Sequence, residues 1–331
     1  NARDDRTINF QSLKLALLTS SMKFRHRFPL VILLITAWGL APGSVSRAAE
    51  SARPLYAICA AYPPEVEALK KEFGIGETRG WTRSTIKGLE FWRGRVGSKD
   101  VVVFRTGVSL VNAAYQLQLG VDRFPITHVL FAGVAGGTDP ALAIGDVVIP
   151  EAWAYHGEAV YVNPDKDGRF QKPSFPQVER ENFGMMFPMS VGVTREGLPA
   201  DTEEKTARME LFPVDAQLLA AARRALPKIA PMEKAGHRVN VSVGGNGVSA
   251  SVFLDNAAYR EWVFRVWRAR CTDMESAALA HVAYANQIPI LIIRGLSDLA
   301  GAQHGANPLA TNELAVAEIA ARVLHRVLDE L

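Results

Sequence analysis

The stretch Thr127 to Pro140 reads "THVLFAGVAGGTDP" and sets an apolar run directly before three glycines, Gly133, Gly136 and Gly137. The run "THVLFAG" is short for a helix and rich in β-forming residues, so it predicts a buried strand. The glycines predict a tight turn behind it, whose backbone can approach a ligand because no Cβ stands in the way. A glycine turn after a strand is commonly just a turn, so its meaning depends on its surroundings.

Outward from this stretch the same rhythm recurs. "LYAICAA" (55–61), "GDVVIP" (145–150), "RVNVSVGG" (238–245) and "IPILIIRG" (288–295) predict further buried strands, and 89–96 with 100–105 predicts a hairpin. Helical patterns fill the gaps near 65–73, 109–120, 215–226, 255–267, 273–286 and 311–330. Such alternation predicts an α/β fold, a single domain over 49–331 with a mixed, mostly parallel central sheet flanked by helices. The Pro-, Gly-, Met- and Phe-rich segment 162–212 interrupts it, with "NPDKDGRFQKP" and "FGMMFPM". It is too long for a plain connection, and predicts a surface excursion, or a lid or subunit-contact segment.

The chain has 331 residues, 48% hydrophobic and 21% charged, a globular composition. Its N-terminal part reads as a leader. Lys23, Arg25 and Arg27 precede the apolar run "FPLVILLITAWGL" (28–40), and Ser46 and Ala48 offer small residues for cleavage. A signal peptide over 22–48 is therefore expected, cut after Ala48, with export to a periplasm or beyond; the run is short for a bilayer span. Residues 1–48 hold seven Lys/Arg and two Asp/Glu, leaving 30 basic against 32 acidic residues. The apparent basicity belongs to the leader, so neither nucleic acid nor an anionic membrane is an expected partner.

Cys59 and Cys271 are the chain's two cysteines, read as buried free thiols or one bridge. The seven histidines show no metal-ligand spacing, and no G-x-S-x-G elbow is present, so neither zinc nor serine hydrolase chemistry is supported. No metal or cofactor is expected.

Two segments carry further candidate chemistry. "CTDMESAALA" (271–280) fits the T-x-x-E capping box at Thr272 and Glu275, with apolar residues at 274, 277, 278, 282 and 285 supporting a helix. "RGLSDLAG" (294–301) delivers Ser297 and Asp298 to a strand's C-terminal end, where open α/β sheets bind ligands, although Asp298 also suits a helix cap.

Taken together, "AGVAGG…IGDVVIP", "DMESAALAHV" and "RGLSDLAG" resemble the purine nucleoside phosphorylase and nucleosidase superfamily, nearest the methylthioadenosine/S-adenosylhomocysteine nucleosidases. The run Phe253–Arg260 adds a likeness to the exported plant bark and vegetative storage proteins. The resemblance implies that Glu275 binds ribose hydroxyls and that Met274 packs on the sugar. It implies that Asp298 protonates or hydrogen-bonds the purine N7, oriented by Ser297, which requires a carboxyl raised by burial. Thr106 is expected to present a hydroxyl near the nucleophile. Gly136 and Gly137 are expected to line the base pocket, with the segment ending at Phe253 closing over the purine.

The phosphorylases' phosphate-gripping arginine and Ser/Thr are matched here by Phe131 and Val134, which favours water as nucleophile. The water-activating glutamate of the nucleosidases is matched by Pro64 in "AAYPPEVEAL". Glu65, one residue on, is either a base turned inward by the Pro-Pro kink or an ordinary first-turn glutamate. The expected function is an exported purine nucleosidase acting on adenosine-type nucleosides. A nucleoside-binding or storage protein and a phosphorylase are the alternatives, and the resemblance implies a homo-oligomer.

Overall fold

A computed structural model describes residues 53–331 apart from 78, 176–177, 179 and 199–206. The leader and its cleavage point lie outside the described residues. Ser51–Leu331 forms one compact unit.

Twelve strands build one sheet: β1 (Leu55–Ala60), β2 (Thr82–Ile86), β3 (Leu89–Val96), β4 (Lys99–Arg105), β5 (His128–Gly137), β6 (Val147–Ile149), β7 (Ala152–Tyr155), β8 (Phe212–Pro213), β9 (Val241–Val243), β10 (Asn246–Ser249), β11 (Ala269–Asp273) and β12 (Ile290–Asp298). Six helices accompany it: α1 (Pro63–Phe73), α2 (Leu110–Arg123), α3 (Ala216–Ala225), α4 (Ala257–Trp267), α5 (Ser276–Ala285) and α6 (Leu309–Asp329). β4, β1, β5 and β12 run parallel at the centre. Apart from Arg294 in β12 they are apolar along their inner lengths, because helices cover the sheet, as parallel strands require. α1 and α3 pack on α6, and α2 packs on α5.

The pairing around β5 creates the site. β12 occupies one edge of β5 from Val129 to Gly136, while β1 occupies the other from His128 to Phe131. β11 returns to that second edge only at Gly136 and Gly137, running antiparallel. Ala132–Ala135 of β5 therefore lack a strand neighbour on that side, and their backbone is free for other partners.

The glycines do not form the expected tight turn, since the strand continues through Gly137 and none of the three has a positive φ. Their reason is space. A Cβ on Gly133 would fall on the Glu65 carboxylate and the Arg294 guanidinium, and one on Gly136 would stand 2.9 Å from Asp298 Oδ1.

The capping box is also overturned. Thr272 belongs to β11, and α5 starts at Ser276 with Asp273 as its cap, its Oδ1 accepting the N–H groups of Glu275 (3.2 Å) and Ser276 (3.1 Å). The short strands β2, β7, β10 and β11 were not expected from the sequence. Segment 162–212 forms small antiparallel pairs, Ala159–Tyr161 with Met186–Pro188 and Val191–Val193 with Ala207–Met209. It is anchored on α4, where Trp262 Nε1 donates to the Glu181 carbonyl (3.2 Å) and Arg180 Nη1 to that of Val266 (2.8 Å). Among the described residues no helix is long and apolar enough to cross a membrane.

Gly133→Ala is expected to destabilise the fold by about 3 kcal/mol, the upper range for overpacking, because its methyl displaces a buried charged pair. The urea unfolding midpoint, compared with that of the unaltered chain, measures this.

Candidate active site

β12 reads "ILIIRGLSD", and every residue in it is buried, including Arg294. A buried guanidinium needs partners, because desolvating its charge is costly. Arg294 has three. Nε donates to Asp273 Oδ2 (2.7 Å), Nη1 to Glu65 Oε1 (3.3 Å) and Nη2 to Glu275 Oε2 (3.3 Å). Its flat face rests on the Phe131 ring, 4.0 Å from the centroid.

Glu65 arrives from the first turn of α1. Pro63 and Pro64 open that helix, where a missing N–H costs nothing. The glutamate then folds back: Oε2 accepts the N–H of Ala61 (2.6 Å) and Oε1 that of Val134 (2.7 Å), one of the β5 groups left free by the gap. Glu65 is 2% exposed and lines the cavity, whereas Pro64 does not. The proline therefore removes nothing from the site.

Glu275 sits at the N-cap position of α5, and its Oε1 accepts the N–H of Ser109 (2.9 Å). Ser109 holds a φ of 81°, uncommon for a residue with a Cβ, and its Oγ lies 2.7 Å from that of Ser251. These two hydrogen bonds fix the entry of α2 beside the carboxylate.

Burial pushes the Glu275 carboxyl up to about 8; the negative Asp273 adds to this and Arg294 opposes it. Glu65 is likewise raised by burial, against the pull of Arg294 and of the two backbone donors. Burial works against the charge of Arg294, but Asp273, Glu65 and Glu275 more than offset it and hold its pKa above the ordinary value. Three carboxylates thus share one guanidinium, with burial favouring their neutral form and Arg294 their charged one.

At the end of β12, Asp298 Oδ1 accepts the N–H of Ala300 (2.9 Å), and Ser297 Oγ lies 2.9 Å from Oδ2. Burial raises the Asp298 carboxyl, with hydrogen bonds from Ala300, Ser297 and Asn307 opposing. The direction is the one expected of a proton donor.

A cavity of about 200 Å³ brings together Glu65, Glu275, Asp298, Ser297, Met274, Gly136 and Phe253. Its described lining contains no Lys, Arg or His side chain; Val134 lines it, while Phe131 lies buried beneath Arg294. Two expected residues do not reach it. Thr106 is fully buried at the end of β4, its hydroxyl directed at the Ala60 carbonyl (3.3 Å), and Val108 stands at the lining instead. Gly137 turns its carbonyl to Arg260 Nε (2.9 Å), and a Cβ there would stand 3.0 Å from Leu296 Cδ1. Sequence reasoning missed Arg294, Asp273 and Ser109. An arginine inside an otherwise apolar strand was the available signal, since such a charge must be paired. Cys59 and Cys271 are buried free thiols.

Two stability measurements follow from the cluster. The Glu275 carboxyl is raised from 4.5 to about 8 on folding. Below 4.5 it is protonated in both states; above, the unfolded chain releases its proton while the folded chain keeps it, so this contribution is lost as pH rises through about 8. In urea unfolding at a series of pH values, the stability of the unaltered chain relative to Glu275→Gln is expected to decline across this window. Arg294→Met leaves buried carboxylates without their cation and is expected to cost about 3–5 kcal/mol by the same measurement.

The phosphorylase superfamily family model matches residues 55–331. A 5'-methylthioadenosine/S-adenosylhomocysteine nucleosidase of Listeria monocytogenes is 30% identical over 245 residues, spanning 73% of this chain and 85% of its own. The fold is shared with two Helicobacter pylori crystal structures. One is a 5'-methylthioadenosine/S-adenosylhomocysteine nucleosidase in complex with a pyrrolidine-based ligand, at a TM-score of 0.63 and 19% identity, covering 84% of this chain and 99% of that one. The other is a futalosine hydrolase, at a TM-score of 0.63 and 18% identity, covering 84% and 98%. The chain belongs to the phosphorylase superfamily, on its methylthioadenosine/S-adenosylhomocysteine nucleosidase side.

Proposed function

We propose that the protein hydrolyses the N-ribosidic bond of adenosine-type purine nucleosides. The observation that carries this is the cavity itself, in which the buried carboxylates of Glu65, Glu275 and Asp298 converge in different environments, beside the Asp273 that pairs with Arg294, and no Lys, Arg or His lines the interior. The names of its relatives point to the same chemistry.

Each carboxylate has a distinct part. Glu275, fixed beside Met274, accepts hydrogen bonds from the ribose hydroxyls, and its ionised form, which Arg294 favours, opposes the positive charge that builds on the sugar. Asp298 gives its proton to the purine N7, so that the C1'–N9 bond breaks with its electrons on a neutral base. Glu65 takes a proton from water as the water oxygen bonds to C1'. A base and the free sugar leave, and no phosphate is consumed.

Phosphorolysis fits less well, because an oxyanion in this cavity would meet carboxylates and the apolar Val134 rather than a free cation. Against a binding or storage protein without turnover stands Glu65, a carboxylate lining the cavity although position 64 is a proline. Whether 5'-methylthioadenosine, S-adenosylhomocysteine or a futalosine-like nucleoside is preferred turns on the surroundings of the cavity. We infer export from the leader. We also infer a homo-oligomer, for which Val111 and Tyr115, exposed on α2, supply apolar side chains.

Incubated with adenosine or methylthioadenosine, the protein is expected to release base at a rate unchanged by added phosphate, as chromatography of the products will show. Asp298→Asn and Glu65→Gln are each expected to lower kcat/KM by about 10²–10⁴-fold with folding intact. Full turnover in both variants would overturn the assignment. The pH profile of kcat/KM is expected to be bell-shaped. Its acid limb reports Glu65 and lies above the ordinary carboxylate value of 4.5, because burial raises that group; its alkaline limb reports loss of the Asp298 proton.

A further inference from the structure

The chain between β12 and α6, residues 299–308, is stapled by two side-chain amides. Gln303 Oε1 accepts the N–H groups of Leu299 (3.1 Å) and Gly301 (3.2 Å), and Asn307 Oδ1 accepts that of Leu309 (2.9 Å). With their oxygens committed to N–H donors, both amides have a fixed orientation, and their NH2 groups face the other way. Both NH2 groups meet one oxygen. Gln303 Nε2 donates to Asp255 Oδ1 at 2.7 Å, and Asn307 Nδ2 donates to the same atom at 3.0 Å.

The Asn307 NH2 has a second hydrogen, and its side chain also hydrogen-bonds the Asp298 carboxyl. One amide thus bridges two carboxylates, the buried proton donor at the end of β12 and an exposed aspartate in the run after β10. Gln303 reaches Asp298 less directly. It orders the turn whose Ala300 N–H binds Asp298 Oδ1 (2.9 Å). That turn is pressed against Asp255 and its neighbour: the Asn256 N–H donates to the Ala300 carbonyl (3.1 Å), and a Cβ on Gly301, whose φ is 96°, would collide with the Asp255–Asn256 backbone.

None of Asp255, Gln303 and Asn307 lines the cavity that holds Asp298, so each acts on the chemistry through that carboxyl. Among the ionisable groups around Asp298, Glu65, Asp273 and Glu275 line the same cavity, and His304 is exposed in the 299–308 turn. Asp255 differs from these in being joined to Asp298 by the Asn307 amide.

We propose that Asp255 is a positioning residue of the active site, which through Asn307 and Gln303 holds the Asp298 carboxyl in the arrangement that delivers a proton to the purine. This rests on the nucleosidase reading and adds to it a residue outside the cavity. The two neighbours act in opposite directions. The negative charge of Asp255 favours protonated Asp298, whereas the hydrogen bond from Asn307 favours the ionised form. A side chain that merely held the turn together would move neither balance.

The pH dependence of base release from adenosine or methylthioadenosine by the full chain tests this. Asp255→Asn keeps an acceptor for both amides but removes the charge, so the alkaline limb of kcat/KM is expected to move down by about half a pH unit, and by less in high salt because Asp255 is exposed. Asn307→Ala removes the donor, so its limb is expected to move up, with kcat lowered about tenfold and KM within about twofold. Gln303→Ala supplies the comparison in which the turn alone is loosened. Should Asn307→Ala fail to fold, Asp255→Asn carries the test by itself. Loss of activity in all three variants with the limb in place assigns Asp255 to holding the turn and overturns the proposal, as do unaltered kinetics in Asp255→Asn and Asn307→Ala. Either result leaves the nucleosidase reading standing. Absence of base release from the unaltered chain overturns both.

Discussion

The site depends on one buried guanidinium. Arg294 lies buried in β12, one of the parallel strands at the centre of a mixed sheet, where an unpaired charge would carry the full cost of its desolvation. Its three carboxylate partners come from three different places: the first turn of α1, the end of β11 and the start of α5. Pairing them with one cation ties these elements together at the gap beside β5. Gly133 follows from the same constraint, since any side chain there would occupy the space of the Glu65–Arg294 contact. A feature that reads in sequence as a turn is thus an accommodation of charge.

The pattern of the sequence carried most of the fold and a good part of the site. Strand 55–60 and the start of 290–298 were legible because burial on both faces makes them apolar runs. Short strands such as Asn246–Ser249 were not, being too polar and too close to glycines to show a period. Glu275 and Asp298 were legible through their neighbours' resemblance to a family. Pairing geometry was not: Thr272 was read as a cap when the cap is Asp273, one residue on, and Thr106 was placed in a cavity that its hydroxyl turns away from. Residues adjacent along a strand point to opposite faces, so an error of one position reverses the conclusion.

Glu65 shows the same sensitivity in the other direction. Two prolines ahead of it suggested a site with its base removed. Prolines are compatible with the first positions of a helix, and the free backbone N–H of Val134 supplies what draws the carboxylate inward. Three acidic residues of one chemical type then differ in surroundings. Glu65 is held by two backbone donors and Arg294, Glu275 by Ser109 and Arg294, and Asp298 by Ser297 and Ala300 without any cation. Such differences let carboxyl groups a short way apart take up acid, base and anchoring parts.

The site's chemistry and its surroundings are built from separate material. The reacting groups come from the ends of β11 and β12 and the starts of α1 and α5, all tied to the sheet by buried hydrogen bonds. A neighbouring cavity, of about 690 Å³, is walled instead by α4, the turn after β7 and part of the 162–212 segment, which packs on α4 through Phe183 and Glu181 and on α5 through Arg195, 4.3 Å from the Tyr284 ring. A rigid sheet preserves the sub-ångström placement that proton transfer demands, while a segment lying mostly outside the sheet can change in sequence with less effect on it. Val252–Leu254, which line both cavities, lie between these two kinds of material: the run begins after β10, a strand of the sheet, and ends before α4. It can differ in side chain while Arg294 and the three carboxylates around it keep their places.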